Sequence, residues 1–215
     1  MARIYTQNRG FQVGARASRI TSTQSILTNA YIRLFFNSED YDLNSNFDIT
    51  SKSGTATATL ANHLVDSAAA FVAADVGRVV WNTTDNTYAR ITVVNSATDV
   101  TIDTDIMVNT EAYTIFDSRF TAPISGIYII TGNVVWESLA DGTANFIAIR
   151  KNYTVELAQS STIIGAIGVP LLSIATIAQL AINDIVTLDI YQNTGTNKNI
   201  QISADNNLAI QLLSR

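Results

Sequence analysis

The chain has 215 residues, 47% of them hydrophobic and only 14% charged, with a formal net charge of −5. That length holds one large β domain or two small ones around a real core, and the composition excludes intrinsic disorder. No Cys is present, which excludes disulfides, thiolate catalysis and Cys-ligated metal sites. The single His excludes mechanisms that need two, and without a basic field no nucleic-acid binding is expected.

Taken in order, the chain begins Met1-Ala-Arg-Ile-Tyr-Thr6, without the apolar core of a secretory signal. Synthesis in the cytoplasm without a signal peptide is therefore expected. Short β-branched and aromatic runs bounded by turn residues then dominate. The first covers residues 31–36 and is followed by a polar stretch over 37–46. From about Lys52 to Asp117 the composition shifts toward Thr and Ala. Strands are expected there at 55–60, 77–81, 88–94, 100–103 and 113–116, with a tight Asn/Asp turn at 82–86. The alanine-rich residues 67–74 can form two helical turns, with Asp66 or Ser67 as N-cap. Residues 126–136 and 145–150 read as strands, the second ending in the turn Lys151-Asn152. Residues 163–182 are nearly uncharged and approach the length of a membrane span. Pro170, Gly165, Gly168, Ser173, Thr176 and Gln179 interrupt them, so they are read as buried strands, with no membrane insertion. Residues 184–191 alternate, with Ile185, Thr187 and Asp189 on one face and Val186, Leu188 and Ile190 on the other. Strands at 199–203 and 208–213 close the chain. So many short strands with so little helix predict an all-β sandwich or jelly roll.

One set of spacings resembles a known signature. Phe36 is followed after five residues by Asp42 and after four more by Phe47. Phe120 is followed after five residues by Gly126 and, one further on, by Tyr128. This resembles the globular-head family of complement component one-q, whose jelly roll is shared with the tumour necrosis factor family. That family places six residues between the two halves, whereas here the whole segment from Phe47 to Phe120 intervenes, matching the composition shift. Residues 10–18 resemble the family's first strand. Residues 177–188 resemble its penultimate strand pair, with Asn183 where Gly is usual. Ile130 and Gly132 stand where the family carries further aromatics. The run from Phe120 to Tyr128 and Ile149-Arg-Lys-Asn152 are closest to the versions found in bacteriophage virion proteins. Within the intervening segment, Asn82-Thr-Thr-Asp and Tyr88-Ala-Arg-Ile-Thr-Val-Val94 resemble small β repeats of phage tail and fibre proteins.

The resemblance implies a jelly roll built from residues 1–51 and 118–215, with an N-terminal arm over 1–9, interrupted by a small, mostly β module over 52–117. It implies a homotrimer and a structural role in a phage virion, as a capsid decoration or a head or tail fibre protein. The alternative is a receptor-binding adhesin for a host-surface glycan. Arg3, Tyr5 and Arg9 of the arm are the candidates for anchoring to capsid or tail proteins. The apolar faces of 163–182 and 185–190 exceed what one small sandwich uses, so the C-terminal strands are expected to line a trimer axis.

Candidate chemistry is sparse. His63 lacks a second His or a metal-binding context and reads as a surface or turn residue. Acidic groups at Glu39, Asp40 and Asp42 and at Asp99, Asp103 and Asp105 allow calcium as the one conceivable cofactor, although the EF-hand spacing is missing; the other reading is solvated acidic turns. No phosphate-cradling glycine loop or Gly-x-Ser-x-Gly elbow occurs, so no enzymatic activity is expected. Among aromatics able to stack on a sugar, Trp81 and Tyr88 are the candidates for surface ligand contact, Trp136 is assigned to a core or trimer interface, and Tyr153 stays open.

Overall fold

The computed structural model describes residues 12–215 except Ile20, Ser22 and Asp141. In chain order the strands are β1 (Gly14–Arg19), β2 (Gln24–Ile26), β3 (Ile32–Arg33), β4 (Ser38–Leu43), β5 (Phe47–Asp48) and β6 (Ser51–Thr55). Then come β7 (His63–Val65), β8 (Val79–Asn82), β9 (Thr87–Ser96), β10 (Asp99–Ile102), β11 (Ala112–Phe116), β12 (Arg119–Thr121) and β13 (Gly126–Val135). The last six are β14 (Ala144–Lys151), β15 (Val155–Ile163), β16 (Leu171–Leu180), β17 (Ile185–Gln192), β18 (Lys198–Ile200) and β19 (Ser203–Ser214).

A five-stranded sheet, ordered β16-β13-β19-β1-β4, and a six-stranded one, ordered β15-β14-β17-β12-β5 with β3 off this path, form an all-β jelly roll. From β12 onward the chain passes back and forth between them. Strand β3 adds to β17, and β2 and β18 pair separately. A third sheet, β6-β11-β8-β9-β10-β7, is made entirely from residues 51–116, so the chain leaves the jelly roll after β5 and returns at β12.

Period-2 alternation explains the central strands. In β13, Gly126, Tyr128, Ile130, Gly132 and Val134 turn inward while the residues between them are half-buried. The core they enter contains Phe36, Phe47, Phe120, Trp136, Leu188 and Ile210. The spaced signature residues act together here. Phe36 meets Phe47 edge-on at 5.8 Å, and Phe120 meets Tyr128 at 6.0 Å. The Tyr128 hydroxyl donates to the Ile124 carbonyl, and the Phe47 N–H donates to the Asp42 carboxylate at 2.6 Å. Gly126 is required sterically, since a Cβ there would lie 2.5 Å from the Ser214 carbonyl oxygen. The third sheet has its own apolar cluster, including Leu64, Phe71, Val80, Ile91, Ile102 and Ile115. A small cluster of Phe35, Val79 and Phe116, with Trp81 and Tyr88 packed on it, sits where the two parts meet.

Several sequence expectations are corrected. Residues 67–74 form no two-turn helix: a turn at 67–68 leads into extended chain, and only Ala73–Asp75 makes a 3-10 turn. The Asp66 carboxylate takes the Ala68 N–H in a local turn, and the Phe71 N–H goes to the Ala97 carbonyl, which seats Phe71 in the core. The strand expected at 55–60 ends at Thr55. Of residues 31–36, only Ile32 and Arg33 form a strand. The N–H groups beyond are taken by the Leu188 carbonyl and by the Gln24 and Ser118 side chains. Residues 163–182 are not buried throughout but contribute edge strands with one exposed face. No helix among the described residues is long and apolar enough to cross a membrane. Finally, Thr187 and Asp189 of β17 are buried like the residues facing the other way, because Asp189 is covered by Arg33 of the adjoining β3 and by Arg150.

Candidate functional site

The junction between jelly roll and third sheet concentrates the buried charge. Arg78 reaches Asp48 at 3.0 Å and lies 3.4 Å from both Asp75 and Asp117. Arg119 contacts Asp117 at 2.9 Å, and Lys52 contacts Asp75 at 2.7 Å. Arg33 donates to the carbonyls of Gly77 and Asp117 and lies 4.6 Å from the Tyr153 ring centre. Tyr153 in turn accepts a hydrogen bond from Arg119. Asp117 is fully buried, and neither carboxylate oxygen receives a well-aligned hydrogen bond. Burial therefore pushes its pKa up to about 7, with Arg119 and Arg78 pulling the other way and the neighbouring Asp48 adding to the rise. Burial also opposes ionisation of Asp48, but hydrogen bonds from Thr50 and the nearby Arg78 hold it below the usual range. The buried carboxylates Asp75 and Asp117 at its centre join the two parts, while Lys52 and Asp48 at its margin remain partly exposed.

Trp81 and Tyr88 stand opposite each other on β8 and β9, with rings stacked 5.8 Å apart and 8° from parallel. Both are half-buried at the junction. The Tyr88 hydroxyl donates to the Ser25 carbonyl at 2.6 Å, the Trp81 indole donates to Asn86, and Asn86 donates to the Ser25 hydroxyl. The polar ends of this pair thus tie the third sheet to β2. Trp136 is fully buried in the jelly-roll core. Arg3, Tyr5 and Arg9 lie outside the described residues.

The acidic residues are dispersed. Asp99 pairs with His63 at 2.7 Å across β10 and β7. Asp103 accepts from the Arg90 N–H, and Asp105 accepts from the Asn62 N–H. Asp40 pairs with Arg16 and Ser18, and Asp42 caps the turn before Phe47. Among the described residues no group of three or more His, Asp or Glu is gathered in a way that could hold a metal ion.

Two further features stand out, of which the sequence pointed only to the second, through the surplus apolar faces of 163–182; those of 185–190 are buried within the chain. The first is a cleft of about 370 Å³ beside the junction, whose walls include Tyr31, Arg33, Arg90, Arg150, Tyr153 and Asp189. The second is an apolar surface on the first sheet. β15 and β16 are edge strands, one of each jelly-roll sheet. Ile163, Ile167 and Ile177 are 73%, 77% and 63% exposed, and Val169, Leu171 and Ile182 are also more than half exposed. On the same outer face, Ile177 stands opposite Ile129, Ala175 opposite Thr131 and Leu171 opposite Val135. Ala209 of β19 continues the row beside Thr131.

No family model matches the chain, and no curated protein matches it. Among solved structures it is similar to Eiger TNF from S. frugiperda, at 9% identity and a TM-score of 0.48, covering 95% of this chain and 94% of that one. It is also similar to murine APRIL, at 9% identity and a TM-score of 0.47, covering 94% of this chain and 99% of that one.

Proposed function

We propose that the chain is a non-enzymatic structural protein of a bacteriophage particle, exposed on the virion as a homotrimer, in a capsid decoration or a head or tail fibre. The observation that carries the proposal is the strip of exposed aliphatic side chains along residues 163–182. Large exposed apolar patches mark association surfaces. Burying one Ile or Leu gains about 1.5–3 kcal/mol, so six such side chains contribute on the order of 10 kcal/mol toward the cost of association. The trimeric state and the phage setting come from the likeness of the spaced Phe, Gly and Tyr residues to virion proteins. The scarcity of charged side chains suits a rigid assembled particle.

Sedimentation of the purified full chain tests the assembly. A trimer is expected at micromolar concentration, and Ile177→Asp, on the free face of β16, is expected to give a folded monomer. An unaltered chain that sediments as a monomer overturns the proposal. Mixing with capsids that lack the protein tests the location. Co-sedimentation supports decoration, whereas trimers that ignore both capsids and tails overturn the structural role and leave the adhesin reading.

A further inference from the structure

We propose that the cleft beside the junction is a binding site for an acidic sugar unit, a hydroxyl-bearing ring carrying one carboxylate. Three guanidinium groups reach it: Arg33 next to β17, Arg90 from β9 and Arg150 from β14. Two carboxylates, Asp103 and Asp189, share its walls, so the lining carries one net positive charge in a chain whose net charge is −5.

The internal partners of these groups are incomplete. Arg33 and Asp189 are more than nine-tenths buried, yet Arg33 Nε and Asp189 Oδ1 make no hydrogen bond among the described residues. Arg150 Nε is likewise buried without one, lying 3.5 Å from Asp189 Oδ2 in poor alignment, while its guanidinium covers the Tyr31 ring at 4.3 Å. Arg90 reaches Asp103 only at 3.7 Å and lies over Tyr153 at 5.6 Å. Arg33 Nη1 is spent on the carbonyls of Gly77 and Asp117, so the donors suited to a planar carboxylate are chiefly those of the ring-stacked Arg90 and Arg150. Buried, underused polar groups are costly unless something completes them.

The pairing of donors with acceptors narrows the ligand. A simple anion would satisfy the arginines and be repelled by Asp103 and Asp189. A neutral sugar would satisfy the carboxylates through its hydroxyls and leave the arginines unspent. A uronate-type sugar presents both kinds of group, and the apolar edges of Tyr31 and Tyr153 can pack on its ring carbons. The volume, about 370 Å³, lies at the lower end of ligand pockets and accommodates one sugar unit or two. This site is separate from the apolar strip, so a monomeric chain that binds the sugar would overturn the trimer and leave this inference standing.

Calorimetric titration of the full chain with glucuronate, glucose, acetate and a polyglucuronate fragment tests it. Binding of glucuronate at least tenfold tighter than acetate or glucose is expected, with Arg150→Gln and Arg90→Gln each weakening it tenfold or more; Arg90→Gln should unfold at an unchanged temperature, and Arg150→Gln, which leaves the buried Asp189 one partner fewer, at a lower one. Comparable binding of acetate would reduce the cleft to a simple anion site and overturn the proposal. So would no binding of either glucuronate form, or wild-type affinity in both variants. Tighter binding of the polymer than of the monomer would place the natural ligand in a polysaccharide; equal binding would place it among free acidic sugars.

Discussion

Removing the buried carboxylate at the junction should change how stability depends on pH. Asp117 is fully buried and its folded-state pKa lies at about 7, against about 3.9 in an unfolded chain. The folded protein therefore holds a proton that the unfolded chain has released across that interval. The associated stability is fully present below about pH 4 and is lost as pH rises through about 7. At 1.36 kcal/mol per unit the full swing is on the order of 4 kcal/mol. Asp48, whose pKa is lowered, acts with the opposite sign, and its contribution is lost as pH falls below the unfolded value, outside this window. Asp117→Asn keeps the shape and removes the titration. Urea unfolding at steps from pH 5 to pH 8, followed by the fluorescence of Trp81 in the third sheet and Trp136 in the jelly roll, separates the two proteins. The unaltered chain should lose stability relative to the variant by up to about 1.4 kcal/mol per pH unit as pH rises. Parallel pH profiles would refute the assignment of a raised pKa and mean that Arg119 and Arg78 keep Asp117 ionised throughout.

Two further substitutions probe packing and the junction. Gly132 lies under Leu188, and an added Cβ would stand 2.8 Å from one of its methyl carbons and 3.2 Å from Ile174. Gly132→Ala should therefore overpack the space between the sheets by about 1–3 kcal/mol, read as a lowered unfolding temperature; an unchanged one would mean that Leu188 finds another rotamer at no cost. Tyr88→Phe leaves the Ser25 carbonyl without its donor and should cost about 1–3 kcal/mol. Hydrogen exchange should then quicken in β8 and β9 before it does in β13, and uniform acceleration across both sheets would contradict a local role.

The legible parts of the fold were those in which one physical signal dominated. Residues 126–135 alternate because one face of β13 enters the core, and the structure follows that period. The spaced Phe36, Asp42, Phe47, Phe120, Gly126 and Tyr128 form ring contacts, a capped turn and a close backbone approach. The alanines of 67–74 misled because their helix propensity is a weak prior that one seated side chain, Phe71, overrides. The cleft was invisible for a different reason. Its charged and aromatic residues come from β3 and the loop before it, β9, the turn after β10, β14, the turn after that and β17, so no spacing along the chain relates Arg33 to Arg90 or Arg150 to Asp189. A lone arginine in a strand carries no sign of whether its charge is spent.

Residues 163–182 show what composition alone leaves open about burial. A strand that is apolar on both faces is read as buried on both, and β16 is apolar or small at Leu171, Leu172, Ile174, Ala175, Ile177 and Ala178. Within one chain only the face bearing Leu172, Ile174 and Leu180 is buried, because β16 ends its sheet and none of the described residues covers its other side. An exposed edge of this kind is a liability unless it is charged, bulged or covered. β16 carries no charged side chain, and its pairing with β13 runs without a bulge from Leu180 to Leu171. Covering is the remaining protection, so the surplus hydrophobicity of this segment is what the proposed association of copies would bury.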